Sequence, residues 1–138
     1  MKQRTLNEAN RVIDEIISLI YKQGARAITK KIENGTVCKY VANVDGKTLY
    51  CAHSLALKKE YRKSAEGSAW TVINMYSDKV HLKKYQGFTA DFWMKMQKLH
   101  DNDDCWEKKD KLSLSKRGEE YVKILKQRIE EYPTDFIR

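Results

Sequence analysis

Three cysteines (Cys38, Cys51, Cys105) and three histidines (His53, His81, His100) are the side chains here best suited to metal or nucleophilic chemistry. Thiolate and imidazole are the ligands zinc prefers. The hairpin pattern described below puts Cys38, Cys51 and His53 on one sheet face, with His100 or Cys105 as a fourth ligand. Neither arm supplies a Cys-x-x-Cys knuckle, and unpaired cysteine is among the most buried residue types. Core packing is therefore the favoured reading, and no metal or other cofactor is expected. A nucleophilic Cys38–His53 pair fares worse, because inward strand positions lack the exposed electropositive setting that a reactive thiolate needs. An odd cysteine count with no disulfide framework fits a reducing, cytoplasmic compartment.

His100-Asp101 has the form of the His-Asp dyad of metal-dependent phosphohydrolases, with His53 or His81 upstream and Asp135 downstream as the remaining ligands. The simpler account is a histidine near a helix C-terminus, where an imidazole favours the dipole. No Gly-rich phosphate loop or nucleophile elbow occurs. The balance tips from enzyme toward binding protein.

Charge points to the partner. Lysine and arginine total 27 against 19 acids, giving +8 and a pI near 9.3. Such an excess attracts anions through the field of the whole molecule, nucleic acid first among them. The bases come in bursts: Lys30-Lys31, Lys58-Lys59 with Arg62-Lys63, Lys83-Lys84, Lys108-Lys109 with Lys111, and Lys116-Arg117. Tyr61, Tyr85 and Trp106 stand among or beside them, a mixture suited to phosphate contact plus base stacking. The candidate contacts are Lys58, Lys59, Arg62, Lys63, Lys83, Lys84, Lys108, Lys109, Lys116 and Arg117, on the expectation that folding gathers them onto one face.

The elements that must position these residues follow from periodicity. Thr5 with Glu8 is a capping box, Leu6 to Ile20 carries an apolar stripe at helical spacing, and Gly24 ends the helix. Residues 25–32 fit a frayed extension or a short strand. Asn34-Gly35 opens a hairpin over 37–53 whose Asp45-Gly46 turn sets Val44 opposite Lys47, Ala42 opposite Leu49, Tyr40 opposite Cys51 and Cys38 opposite His53. Ser54 is the expected cap of a helix through Leu55, Leu57, Tyr61 and Ala65, and residues 69–76 fit either strand or helix. Thr89 caps a helix with Phe92, Trp93, Met96 and Leu99 inward. A last helix runs from Ser115 to Glu131, with Tyr121, Ile124, Leu125 and Ile129 inward, and Pro133 stops it.

The segments Cys38-Lys39-Tyr40, Asp45-Gly46, Cys51-Ala52 and Met96-Gln97-Lys98-Leu99-His100-Asp101, followed by Trp106, resemble a family of small uncharacterised bacteriophage proteins. That family shows a Cys-x-Tyr arm, a glycine turn, a Cys-Ala return and a Leu-Gln-x-x-His-Asp segment before a tryptophan. This chain departs from it at Ser54, where glycine is usual, and at Met96. The resemblance implies a phage setting, in which small basic proteins take over host machinery or inhibit its defences. Lys111 to Tyr121 is similar to the wing strand and following helix of winged-helix regulators, with Ser115 as cap and Gly118 allowing close helix approach.

The reading that results is a single α+β domain, residues 1–138, with helices packed on a small antiparallel sheet. Its expected function is non-enzymatic recognition of nucleic acid, or of a host or defence complex that handles nucleic acid, in the host cytoplasm. A metal-dependent hydrolase or zinc-stabilised module on Cys38, Cys51, His53 and His100 is one alternative, and a winged-helix DNA-binding regulator is another. No apolar run approaches the roughly 18 residues of a membrane span. The charged start, Met1-Lys2-Gln3-Arg4, reads as helix lead-in rather than signal peptide.

Overall fold

The structure, a computed structural model, describes residues 3–31, 35–38, 41–62 and 77–138, with only the backbone for 28–31 and 35–38. It is an α+β fold. Helix α1 (Leu6–Gln23) begins where the Thr5 hydroxyl accepts from Glu8 N–H while the Glu8 carboxylate accepts from Thr5 N–H. This reciprocal pair satisfies two donors that helix geometry would leave orphaned. Ala9, Val12, Ile13, Ile16, Ile17 and Ile20 form its buried stripe, and Gly24 closes it at φ +77°.

Among the described residues are three two-stranded antiparallel ribbons: β1 (Ile28–Lys31) with β2 (Gly35–Cys38), β3 (Val41–Val44) with β4 (Lys47–Tyr50), and β5 (Trp106–Lys108) with β6 (Leu112–Leu114). The β3–β4 register has Ala42 opposite Leu49 and Val44 opposite Lys47, as the Asp45-Gly46 turn requires. Both turn residues have positive φ, 51° and 76°. The expected hairpin over 37–53 does not run its full length. Cys38 pairs with Ile28 in the first ribbon, and the second ribbon ends at Tyr50.

The reason lies on α1. The Gln23 side-chain amide donates to the Tyr50 carbonyl at 2.9 Å and accepts from Tyr50 N–H at 2.8 Å, mimicking one more strand residue. Beyond that clamp the chain turns helical. The Cys51 thiol, not Ser54, caps α2 (Ala52–Ala56) by accepting from Ser54 N–H. A four-residue helix, α3 (Lys59–Arg62), follows, so the expected single helix through Tyr61 and Ala65 is broken at Leu57, which bridges to His81 instead. Asn34, Tyr40 and residues 69–76 lie outside the described residues.

Two single 3-10 turns (Asp78–Val80 and Lys83–Tyr85) lead to α4 (Ala90–Asp101), capped by Thr89 as its sequence predicts, with Phe92, Trp93, Met96 and Leu99 buried. Ser115 caps α5 (Lys116–Glu131). An added Cβ on Gly118 would collide with the Cys105 carbonyl, so this helix sits against the 103–105 turn only because the residue is glycine. Its inner face is Gly118, Val122, Leu125 and Ile129. Ile124 is 46% exposed, contrary to expectation, because it lies on the other side of the helix from Val122 and Ile129. Pro133 ends α5 and opens the short helix α6 (Pro133–Phe136). The main core joins α1, α2, α4, α5 and α6, and a smaller one beneath β3–β4 contains Ala27, Ala42, Leu49, Cys51, Leu57 and Val80. No described helix is long and apolar enough to cross a membrane.

Candidate functional site

Folding sorts the chemically capable residues into two places, one sealed and one open. The sealed one is a histidine array. Asp78 accepts from Gly87 N–H at 2.9 Å, and His81 Nδ1 lies 2.7 Å from its other carboxylate oxygen. His81 Nε2 in turn stands 2.8 Å from Nε2 of His53 on α2. Both rings are fully buried and stack on the Trp93 indole, with centroids 5.0 and 5.4 Å away. Burial, and then the neighbouring His81, hold His53 well below its ordinary pKa. Burial works to raise the Asp78 carboxyl, but hydrogen bonds from His81 and Gly87 outweigh it and the net shift is downward. The chemically consistent state has ionised Asp78, His81 donating to it, and a neutral imidazole on His53.

This array is not the expected zinc set. Two imidazoles sharing a tetrahedral zinc at about 2.0–2.1 Å stand roughly 3.3 Å apart, whereas these nitrogens are at hydrogen-bond distance. Cys38 belongs to the β1–β2 ribbon, and the Cys51 thiol, pushed up to about 12 by burial, accepts from Ser54 N–H. His100 is buried on α4 with Nδ1 2.9 Å from Asp101, and its Nε2 has no hydrogen-bond partner among the described residues. Among the described residues no three of His, Cys, Asp and Glu converge to hold a metal ion. The sealed array gives a substrate no access, so what it can do is hold protons and fasten the 77–88 segment to α2.

The open place is a groove of about 550 Å³ lined by Val41, Asn43, Thr48 and Tyr50 from the outer face of β3–β4 and by Lys59 and Arg62 from α3. Strand alternation produces it: Ala42 and Leu49 are buried in the smaller core, Asn43 and Thr48 are on the opposite face, and half-buried Val41 lines the groove while still packing against that core. Lys59 and Arg62, three apart on a helical turn, share the side facing the groove. Arg62 Nε donates to the Ser54 carbonyl at 2.9 Å and Nη2 to the Leu55 carbonyl at 3.4 Å, which places its guanidinium 4.6 Å from the Tyr50 ring centroid. The Thr48 hydroxyl donates to Asn43 Oδ1 at 3.1 Å.

The other basic bursts lie elsewhere. The carbonyls of Lys83 and Lys84 accept from Arg4 at the start of α1, and Lys84 pairs with Glu15 at 2.8 Å. The Lys108 ammonium reaches the Gly24 carbonyl at the other end of α1, a helix of 18 residues and thus about 27 Å long. Lys109 and Lys116 are exposed, Arg117 pairs with Asp104, and Lys63 is outside the described residues. These bursts therefore stand apart; of the described candidates, Lys59 and Arg62 line this groove, with Lys58 next in the chain. Two aromatics expected to stack are instead buried: Tyr85 bonds to Glu15 and Trp106 to the Leu99 carbonyl.

Sequence reasoning put Tyr50 on a mixed sheet face without assigning it a role, and its alternation with Leu49 was the usable signal. Asp78 and Trp93 as partners of histidine carried no such signal. No family model, curated protein or solved structure matches this chain.

Proposed function

We propose that this chain is a non-enzymatic recognition protein whose partner is anionic, with nucleic acid favoured over a protein complex that handles it. The observation that carries this reading is the groove between β3–β4 and α3, where the Arg62 guanidinium lies over the Tyr50 ring and Lys59 lines the same space. Cationic side chains beside an aromatic ring supply both terms of nucleic-acid affinity: phosphate neutralisation with counterion release, and stacking. The net charge of +8 adds long-range attraction. The phage-type setting implied by the segments from Cys38 to Trp106 fits a small accessory protein acting on host or defence machinery.

Titration of a labelled oligonucleotide at low salt tests the reading. Loss of Lys59 and Arg62 together (Lys59→Gln with Arg62→Gln) should weaken binding at least tenfold. Loss of Lys83 and Lys84, a helix length from Lys108, should cost much less. If no oligonucleotide binds but a host-lysate pull-down with the wild-type chain recovers a nucleic-acid-handling complex that the paired substitution releases, the partner is the protein complex. If neither experiment captures anything, the reading fails.

A further inference from the structure

We infer that the groove is a site for an unpaired nucleotide, so that the preferred ligand is single-stranded DNA or RNA rather than a duplex. The inference rests on the reading above and narrows it. In a duplex each base hides its faces against its neighbours, and only backbone and groove edges are offered. An unpaired base can present a flat face, and the groove is built around flat groups.

The Arg62 guanidinium is held by two carbonyls of α2 and lies against the Tyr50 ring, while the Tyr50 backbone is held at both polar atoms by Gln23. Packed against the main core and overlaid by Arg62, the Tyr50 ring thus holds the guanidinium plane in place before any ligand arrives, which lowers the ordering cost of stacking a base on that plane. Lys59, on the same side of α3, is placed for the adjoining phosphate. Asn43 accepts from Thr48 at Oδ1, leaving its NH2 to donate to a base edge. The volume, about 550 Å³, falls in the range of small-ligand sites. An acidic peptide or free phosphate would engage Lys59 and the N–H edge of Arg62 but leave the guanidinium plane unused.

The test compares three labelled probes of equal length, a single-stranded DNA, the same sequence as RNA, and the DNA duplex, against the intact chain and three variants. Tyr50→Leu removes the ring but keeps apolar bulk, Tyr50→Phe keeps the ring, and Lys123→Gln removes an exposed charge on α5 as control. The inference expects single strands to bind at least tenfold tighter than duplex. It also expects about a tenfold loss in Tyr50→Leu, with Tyr50→Phe and Lys123→Gln near wild type. The DNA and RNA arms decide which strand is preferred.

Equal affinity for duplex, untouched by Tyr50→Leu, overturns this inference and leaves the broader reading standing. Failure of every probe defeats both. If Tyr50→Leu does not fold, the wild-type chain decides by photocrosslinking to a 5-iodouracil oligomer: adducts on the Thr48–Lys58 tryptic peptide support the site, and adducts elsewhere, or none, overturn it.

Discussion

His53 and His81, 28 residues apart in the chain, meet nitrogen to nitrogen at 2.8 Å in a space closed to solvent. One proton suffices for that contact, and a second makes a buried ring cationic beside Trp93. Among the described residues, Asp78, with Arg138 acting on it, and the Trp93 ring face the pair.

Stability should therefore depend on pH in a definite direction. The folded pKa of His53 lies below the ordinary 6.5, as does that of buried His100, where the desolvation effect exceeds the opposing pull of Asp101. Above pH 6.5 both folded and unfolded chains keep these rings neutral. Below it the unfolded chain takes up protons that the folded one refuses, so stability is lost as pH falls. The slope is at most about 1.4 kcal/mol per pH unit for each histidine. Urea unfolding between pH 7.5 and 5 measures it. His53→Gln should be less stable at neutral pH and show a shallower slope, and a wild-type stability that stays flat to pH 5 contradicts this assignment.

Arg4 fastens the start of α1 to the 83–86 segment. Its Nε and Nη2 donate to the carbonyls of Gln86, Lys83 and Lys84, and Nη1 pairs with Glu8 at 3.0 Å. Arg4→Ala should cost about 1–2 kcal/mol by chemical denaturation, since the partly buried Gln86 carbonyl loses a charged donor while the exposed Lys83 and Lys84 carbonyls can turn to water. Arg4→Lys should recover less than half of it, because a single ammonium cannot reproduce the guanidinium fork. Full recovery by lysine would show that charge alone matters there.

The buried Cys51 thiol should be inert. Its burial is complete and its pKa is pushed up to about 12, so almost no thiolate forms at pH 8. Iodoacetamide followed by peptide mapping should leave Cys51 unmodified in the native chain and label it in denaturant. Equal labelling in both states contradicts the burial.

Much of this fold is legible where the signals are local. The Thr5–Glu8 capping box, the Gly24 stop, the Thr89 and Ser115 caps and the Asp45-Gly46 register each depend on residues within a few positions of one another. The end of the β3–β4 ribbon is not legible in this way, because it is set by Gln23, distant in sequence, while Cys51, Ala52 and His53 alternate as a strand would. A period-two pattern continues in the letters after the backbone has turned helical. The same blindness hid the histidine array: His81 looks solitary in the chain, and nothing near it announces His53 or Trp93. The groove was half visible, since Lys59 and Arg62 stood out as bases, but the ring that Arg62 overlies was read only as one residue of a mixed sheet face.

The salt dependence of oligonucleotide binding, measured as anisotropy of a labelled single strand from low to physiological salt, bears on the anionic partner itself. Log K should fall linearly with log salt at about 0.7 per phosphate neutralised, and removing Lys59 should lower that slope by roughly one phosphate's worth. Binding that ignores salt, or a slope unchanged without Lys59, would contradict the proposed function.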